Sequence, residues 1–291
     1  MKDLDTPTIV VTGGNSGIGL ETAVALAGRG AEVVIGCRDP RKAAGATAEI
    51  RRRSGNESVR SLRLDLADLR SVERFAAELS TLDHIDVLVN NAGLVCDRRM
   101  ETAQGFELTF GTNHLGHFHL TNLVLDQLRA APSGRIVNLA SVAHARSVDG
   151  ITWSDIGRYR RYRTWRVYGD SKLANILHAE ALAERLADTS VVAHAVHPGS
   201  VRTGFGRDGD TSGATASLME LNGVAQRLGL LRTPEQGAAT SVHVATSAAA
   251  GRSSGLYWRD SHPARVAPWT RRRGDTAVLW ENSKRLVSAV S

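Results

Sequence analysis

Thr8-Ile9-Val10-Val11-Thr12-Gly13-Gly14-Asn15-Ser16-Gly17-Ile18-Gly19 decides how the rest of the chain is read. A short β-branched run passes into a turn crowded with glycine, and an amphipathic stretch at 19–27 follows. Glycines here allow a tight turn and let backbone N–H groups approach an anion at the positive end of a helix. A strand-to-helix turn with no ligand is the alternative. Its position, after the first strand and before an apolar helix, favours a dinucleotide pyrophosphate held by Gly13, Asn15, Ser16, Gly17, Ile18 and Gly19.

Further along, short β-branched runs alternate with longer amphipathic ones, the pattern of repeated βαβ units. Strands are expected at 8–11, 32–35, 59–62, 87–89, 135–139, 191–196 and near 256–258, with helices between them, for example at 71–79. Capping residues mark helix starts at Asp68 and at Thr233-Pro234, where proline takes the first helical position. The expected fold is α/β: a Rossmann-type, doubly wound parallel sheet of about seven strands flanked by helices, in the order 3-2-1-4-5-6-7. No linker or internal repeat divides residues 1–291, so a single domain is expected. The Gly-, Ser- and Thr-rich stretch at about 199–231 follows a strand's carboxyl end and is a candidate lid over a ligand crevice.

Composition narrows the function classes. Hydrophobic residues at 42% and charged residues at 23% are ordinary for a folded domain, which excludes a disordered or fibrous chain. Cys37 and Cys96 stand far apart, which argues against a disulfide framework or a metal site and fits a reducing, cytoplasmic setting. No run approaches the roughly 18 to 20 apolar residues of a membrane-spanning helix, and no signal peptide is recognisable. The net charge of +6 comes from 36 lysines and arginines, only four of them lysine. The arginine clusters at 51–53, 158–166 and 271–273 lie in separate segments without a recognition motif. A solvated charged surface is therefore expected rather than nucleic-acid binding.

The glycine turn has the form TGxxxGxG, and other motifs follow in order: Asp65, Asn90-Asn91-Ala92-Gly93, Asn113, Ser141, Tyr168-Gly169-Asp170-Ser171-Lys172, and His197-Pro198-Gly199 with Thr203. This ordered set resembles the short-chain dehydrogenase/reductase family. The resemblance implies that Asp65 meets the adenine amino group and that Asn91 and Gly93 line the adenosine and ribose region. It also puts Pro198, Gly199 and Thr203 beside the nicotinamide. Leu66, Ala92 and Val201 are expected to line the same site.

Cofactor choice is decided at Val33-Val34-Ile35-Gly36-Cys37-Arg38-Asp39. NAD enzymes place a carboxylate here to hold the ribose 2′-hydroxyl, whereas Cys37 takes that position and Arg38 follows. A guanidinium binds a 2′-phosphate and stacks on adenine, so NADPH/NADP+ is expected unless Asp39 neutralises Arg38. At the reactive end, Tyr168 and Lys172 are four residues apart on a helix expected to run to Leu186, so they share a face. A free tyrosine has a pKa of about 10, and a neighbouring cation is expected to lower it. By resemblance Lys172 also holds the ribose hydroxyls, Ser141 hydrogen-bonds the substrate oxygen, and Asn113 supports a water linking the lysine to solvent.

Gly36-Cys37-Arg38-Asp39, Asn113-His114-Leu115-Gly116-His117-Phe118, Ser171 to Leu177, and Leu279-Trp280-Glu281-Asn282-Ser283 resemble the retinol-dehydrogenase-like branch. The membrane anchor common in animal members is not expected here. The segment 151–167 before the tyrosine is also unusual, carrying Trp153, Tyr159, Tyr162 and Trp165 among arginines. Those aromatics either stack on a flat substrate or pack against the helix or a partner subunit. The expected activity is reduction of a carbonyl group, without a metal, on a bulky, aromatic or polycyclic small molecule such as a secondary metabolite. Alcohol oxidation by the same residues, a non-catalytic NADP(H) sensor, and a nucleic-acid binder are the competing readings. The sequence leaves the assembly open, a homodimer being compatible with the family.

Overall fold

The computed structural model describes residues 6–201 and 231–290, so most of the expected lid, and Thr203 with it, lies outside the described residues. Its centre is an eight-stranded sheet in the order β3-β2-β1-β4-β5-β6-β7-β8. The strands are β1 (Thr8–Thr12), β2 (Glu32–Cys37), β3 (Val59–Arg63), β4 (Val87–Asn90), β5 (Arg135–Leu139), β6 (Val192–His197), β7 (Tyr257–Arg259) and β8 (His262–Pro263). All pairs from β3 to β7 are parallel, and only β8 runs antiparallel to its neighbour. The first seven strands match the expected order. The eighth is a two-residue His-Pro return with no apolar run to announce it.

Alternation along each strand builds two cores. Ile9 and Val11 of β1 face one side with Ala23 and Leu26 of helix α1 (Gly17–Ala27) and Ile50 of α2 (Pro40–Ser54). Val10 faces the other, with Val72 and Phe75 of α3 (Leu69–Leu79). Covering a parallel sheet on both faces in this way explains why its strands read as near-continuous hydrophobic runs. Helix ends follow local chemistry. Asp68 caps α3, and Thr233 and Gln236 form a reciprocal capping box before the helix Pro234–Thr246.

Strand order reverses between β1 and β4, opening a crevice above their carboxyl ends. The rim is locked by side chains. Thr12 Oγ1 accepts from the N–H groups of Asn91 (2.9 Å) and Ala92 (3.0 Å), and Asn91 Nδ2 donates to the Thr12 carbonyl (2.8 Å). Arginines at 51–53 are engaged locally: Arg51 with the Val59 carbonyl, Arg52 with Glu49, Arg53 with Glu21.

Candidate active site

A cavity of about 640 Å³ fills the crevice. Every described residue expected at the cofactor end lines it, from Gly13 through Asp65 and Leu66 to Pro198, Gly199 and Val201. Ser141, Tyr168 and Lys172 close its inner end. Its floor depends on missing side chains. A Cβ on Gly19 would stand 2.3 Å from the Gly13 carbonyl oxygen and 2.4 Å from Asn91 Nδ2, and Gly13 itself has φ +67°. Ser16, at the N-cap of α1, makes no side-chain capping bond, so the first-turn N–H groups stay available to an anion. This cradle fits a dinucleotide pyrophosphate.

At the far end Arg38 lines the cavity. Asp39 does not neutralise it, because that carboxylate caps α2 by accepting from the N–H groups of Arg41 (2.8 Å) and Lys42 (3.3 Å). Cys37 is buried in β2, which pushes its thiol up to about 12 and leaves it neutral. Lys42 also lines this end, a cation that the sequence reading did not single out. Asp65 borders the cavity while one of its oxygens accepts from the Ala67 N–H (3.0 Å), so it also shapes the local turn.

Ser141 follows β5 and caps the short 3₁₀ turn Val142–Arg146, accepting from the Ala143 N–H at 3.2 Å. Tyr168 and Lys172 lie on the long helix Thr164–Arg185, where the Tyr168 hydroxyl hydrogen-bonds Ser141. Gly169 permits that approach, because a Cβ there would come 2.7 Å from the Ala143 carbonyl oxygen. Lys172 Nζ donates to the Leu139 carbonyl (3.0 Å) and sits 5.5 Å from the centre of the Tyr168 ring.

Burial decides both protonation states. It pushes Tyr168 up to about 12, against the Ser141 hydrogen bond, and Lys172 down to about 8. The lowering expected from the cation is not seen in this direction of shift. Desolvation outweighs the Ser141 hydrogen bond, and Tyr168 is a neutral phenol at physiological pH.

Asn113 lies in the π-helical turn Gly111–Leu115, outside the cavity lining. Its Oδ1 accepts from the Leu94 N–H (2.8 Å), and its Nδ2 donates to the Leu94 carbonyl (2.9 Å) and to Ser171 Oγ (3.1 Å). The amide therefore ties the loop after β4 to the tyrosine helix. His117, one turn on, is held near pKa 4 by burial. As neutral imidazole it bridges the Asn113 carbonyl (3.0 Å) and Thr12 Oγ1 (2.8 Å). No role was read for it in the sequence, although its spacing from Asn113 puts both on one helical face.

The aromatics of 151–167 differ in what they touch. Trp153 packs edge-on to Phe110, and the Tyr162 hydroxyl donates to buried Glu107 (3.1 Å). Tyr159 is exposed beneath the Arg99 guanidinium. Only Trp165 reaches the reactive end, edge-on to Tyr168 with ring centres 6.0 Å apart. Asp170, wholly buried, holds this segment through Arg158 and Arg166.

Comparison with known proteins accords with this geometry. The family model for short chain dehydrogenases matches residues 7–211. The chain belongs to that family. Among curated members of the short-chain dehydrogenase family, human retinol dehydrogenase 13 is 38% identical over 284 residues, covering 96% of this chain and 84% of its own. Human retinol dehydrogenase 12 is 39% identical over 280 residues, covering 96% and 85%. Among solved structures, an uncharacterized protein from Mycobacterium paratuberculosis aligns with a TM-score of 0.74 and 33% identity, over 98% of this chain and 96% of that one. The chain is thus a retinol-dehydrogenase-like short-chain oxidoreductase of alcohols and carbonyls. No helix of the described residues is long and apolar enough to cross a membrane.

Proposed function

We propose that this chain is an NADPH-dependent carbonyl reductase acting on a bulky aromatic ketone or aldehyde. What supports the reading is the meeting of the Tyr168 and Ser141 hydroxyls in a cavity that also reaches Arg38. Bound NADPH would supply hydride to the carbonyl carbon. Tyr168 donates its proton to the carbonyl oxygen as negative charge develops there, and the Ser141 hydroxyl donates a hydrogen bond to the same atom. A tyrosine kept protonated by burial suits that direction, since reduction needs a proton donor. The Lys172 ammonium, held at the Leu139 carbonyl, favours the phenolate left behind. Arg38, without an ion pair among the described residues, and neutral Cys37 support the choice of a 2′-phosphorylated cofactor.

Alcohol oxidation by the same groups is the second reading, favoured by the names of the retinol dehydrogenase relatives. A panel of aromatic ketones with NADPH, and of the matching alcohols with NADP+, tests both. Reduction faster than oxidation at neutral pH, abolished in Tyr168→Phe with NADPH binding retained, is the expected result. Substantial turnover by Tyr168→Phe would refute the assignment of the proton donor.

A further inference from the structure

Beside the cofactor cavity a second hollow, of about 1180 Å³, opens between the turn after Ser141 and the segment that precedes the tyrosine helix. Four guanidinium groups stand on it, from Arg146, Arg163, Arg166 and Arg272. Their partners differ. Arg166 is committed to buried Asp170 at 3.0 Å and to the Val148 and Gly150 carbonyls. Arg272 lies 3.8 Å from Asp149, the two forming an exposed pair. No ion pair of Arg146 or Arg163 is found among the described residues, unlike those of Arg166 and Arg272. Among the described residues the wall thus carries two guanidinium groups, Arg146 and Arg163, outside any ion pair.

An aromatic path joins one of these cations, Arg146, to the reactive end. The Arg146 guanidinium carbon sits 5.7 Å from the Trp165 ring centre, which in turn is 6.0 Å from that of Tyr168. Those two steps compare with the length of a two- or three-ring aromatic skeleton carrying a charged substituent. We propose that the hollow is the outer half of the substrate site. It takes a carbonyl compound whose flat ring system lies against Trp165 and whose anionic substituent, a carboxylate or phosphate, is bound by Arg146 and Arg163. Guanidinium forks suit such oxygens, and the aromatic face suits the rings. This rests on the reading of Tyr168 as proton donor, and it adds the anion to that reading's aromatic substrate.

The probes are 6-acetyl-2-naphthoic acid and its methyl ester, compared by kcat/KM with NADPH. The acid is expected to be preferred about tenfold or more, as a charge-assisted fork requires. Salt should erode that preference, because the hollow is open to solvent. Arg146→Gln with Arg163→Gln should bring the acid-to-ester ratio toward one, while Arg146→Lys with Arg163→Lys should retain most of it. Equal use of acid and ester by the native protein, or an unchanged ratio in the glutamine pair, would overturn the subsite.

Binding of 2-naphthoate, followed by quenching of tryptophan fluorescence, separates the two levels of inference. If neither ketone is reduced, the reductase reading fails and the binding titration alone decides the subsite. About tenfold weaker binding in the glutamine pair upholds it, and equal binding refutes it.

Discussion

Lys172 offers a test in which losing a group from the reactive end makes the protein stronger. Its side chain is almost wholly buried, and burial lowers its pKa from 10.5 to about 8. At roughly 1.4 kcal/mol per tenfold change in proton affinity, confining the charged lysine costs the fold about 3 kcal/mol. The pH dependence follows from proton counting. Below about pH 8 the folded and unfolded chains both carry the proton, and the whole penalty applies. Between about 8 and 10.5 the unfolded chain binds more protons, so stability climbs with pH; above 10.5 both are neutral and the penalty is gone. Lys172→Met keeps the volume and removes the charge. The Leu139 carbonyl stays satisfied, because Asn175 Nδ2 also donates to it at 3.0 Å.

Urea unfolding of the cofactor-free protein, followed by tryptophan fluorescence at pH 7 and pH 10, measures the effect. The variant should be more stable by about 3 kcal/mol at pH 7, with most of that gain lost at pH 10. Other titrating groups cancel in the comparison. A variant less stable than the native protein at pH 7, or a gain independent of pH, would show that the burial of Lys172 has been misjudged.

Arg38→Asp should lower kcat/KM for NADPH relative to NADH by about tenfold or more, through loss of a phosphate fork and a new repulsion; an unchanged ratio of Michaelis constants would remove Arg38 from cofactor choice. Gly19→Ala puts a methyl group 2.3 Å from a backbone oxygen, so the turn must shift. Weakened cofactor binding, read by fluorescence titration, should accompany a loss of about 1–3 kcal/mol. Asp170→Asn leaves the buried Arg158 guanidinium, and the partly exposed one of Arg166, uncompensated and should cost about 3–5 kcal/mol in denaturant unfolding. It should also expose 151–166 to proteolysis, and a variant of native stability would contradict the clamp.

What could be read from the sequence was whatever repeats locally. Strand positions came within two residues because alternating apolar side chains carry their own signal, and the Thr233 cap with Pro234 at the first helical position was visible as a pattern. The reactive residues were legible through spacing and order. β8 was not, since two residues without an apolar face look like any loop. The protonation of Tyr168 could not be read either, because Lys172 is near in sequence whereas the burial that raises the phenol is a product of tertiary packing. Gly169 and His117 were missed for a related reason: their work is to let or hold two distant segments together, which no local pattern records.

Asp170 stands two residues beyond Tyr168, yet its carboxylate looks the other way, into the arginines of 151–166. The wall that would choose the substrate is thus hung from the helix that would carry out the proton transfer, by a fastening independent of the phenol. Such a joint lets selection redraw one without disturbing the other. New residues can be written into 151–166 while Arg158, Arg166 and Asp170 keep the segment seated, and the inherited chemistry then meets a different molecule. Diversification within this lineage would leave its mark as a variable cassette between invariant bolts.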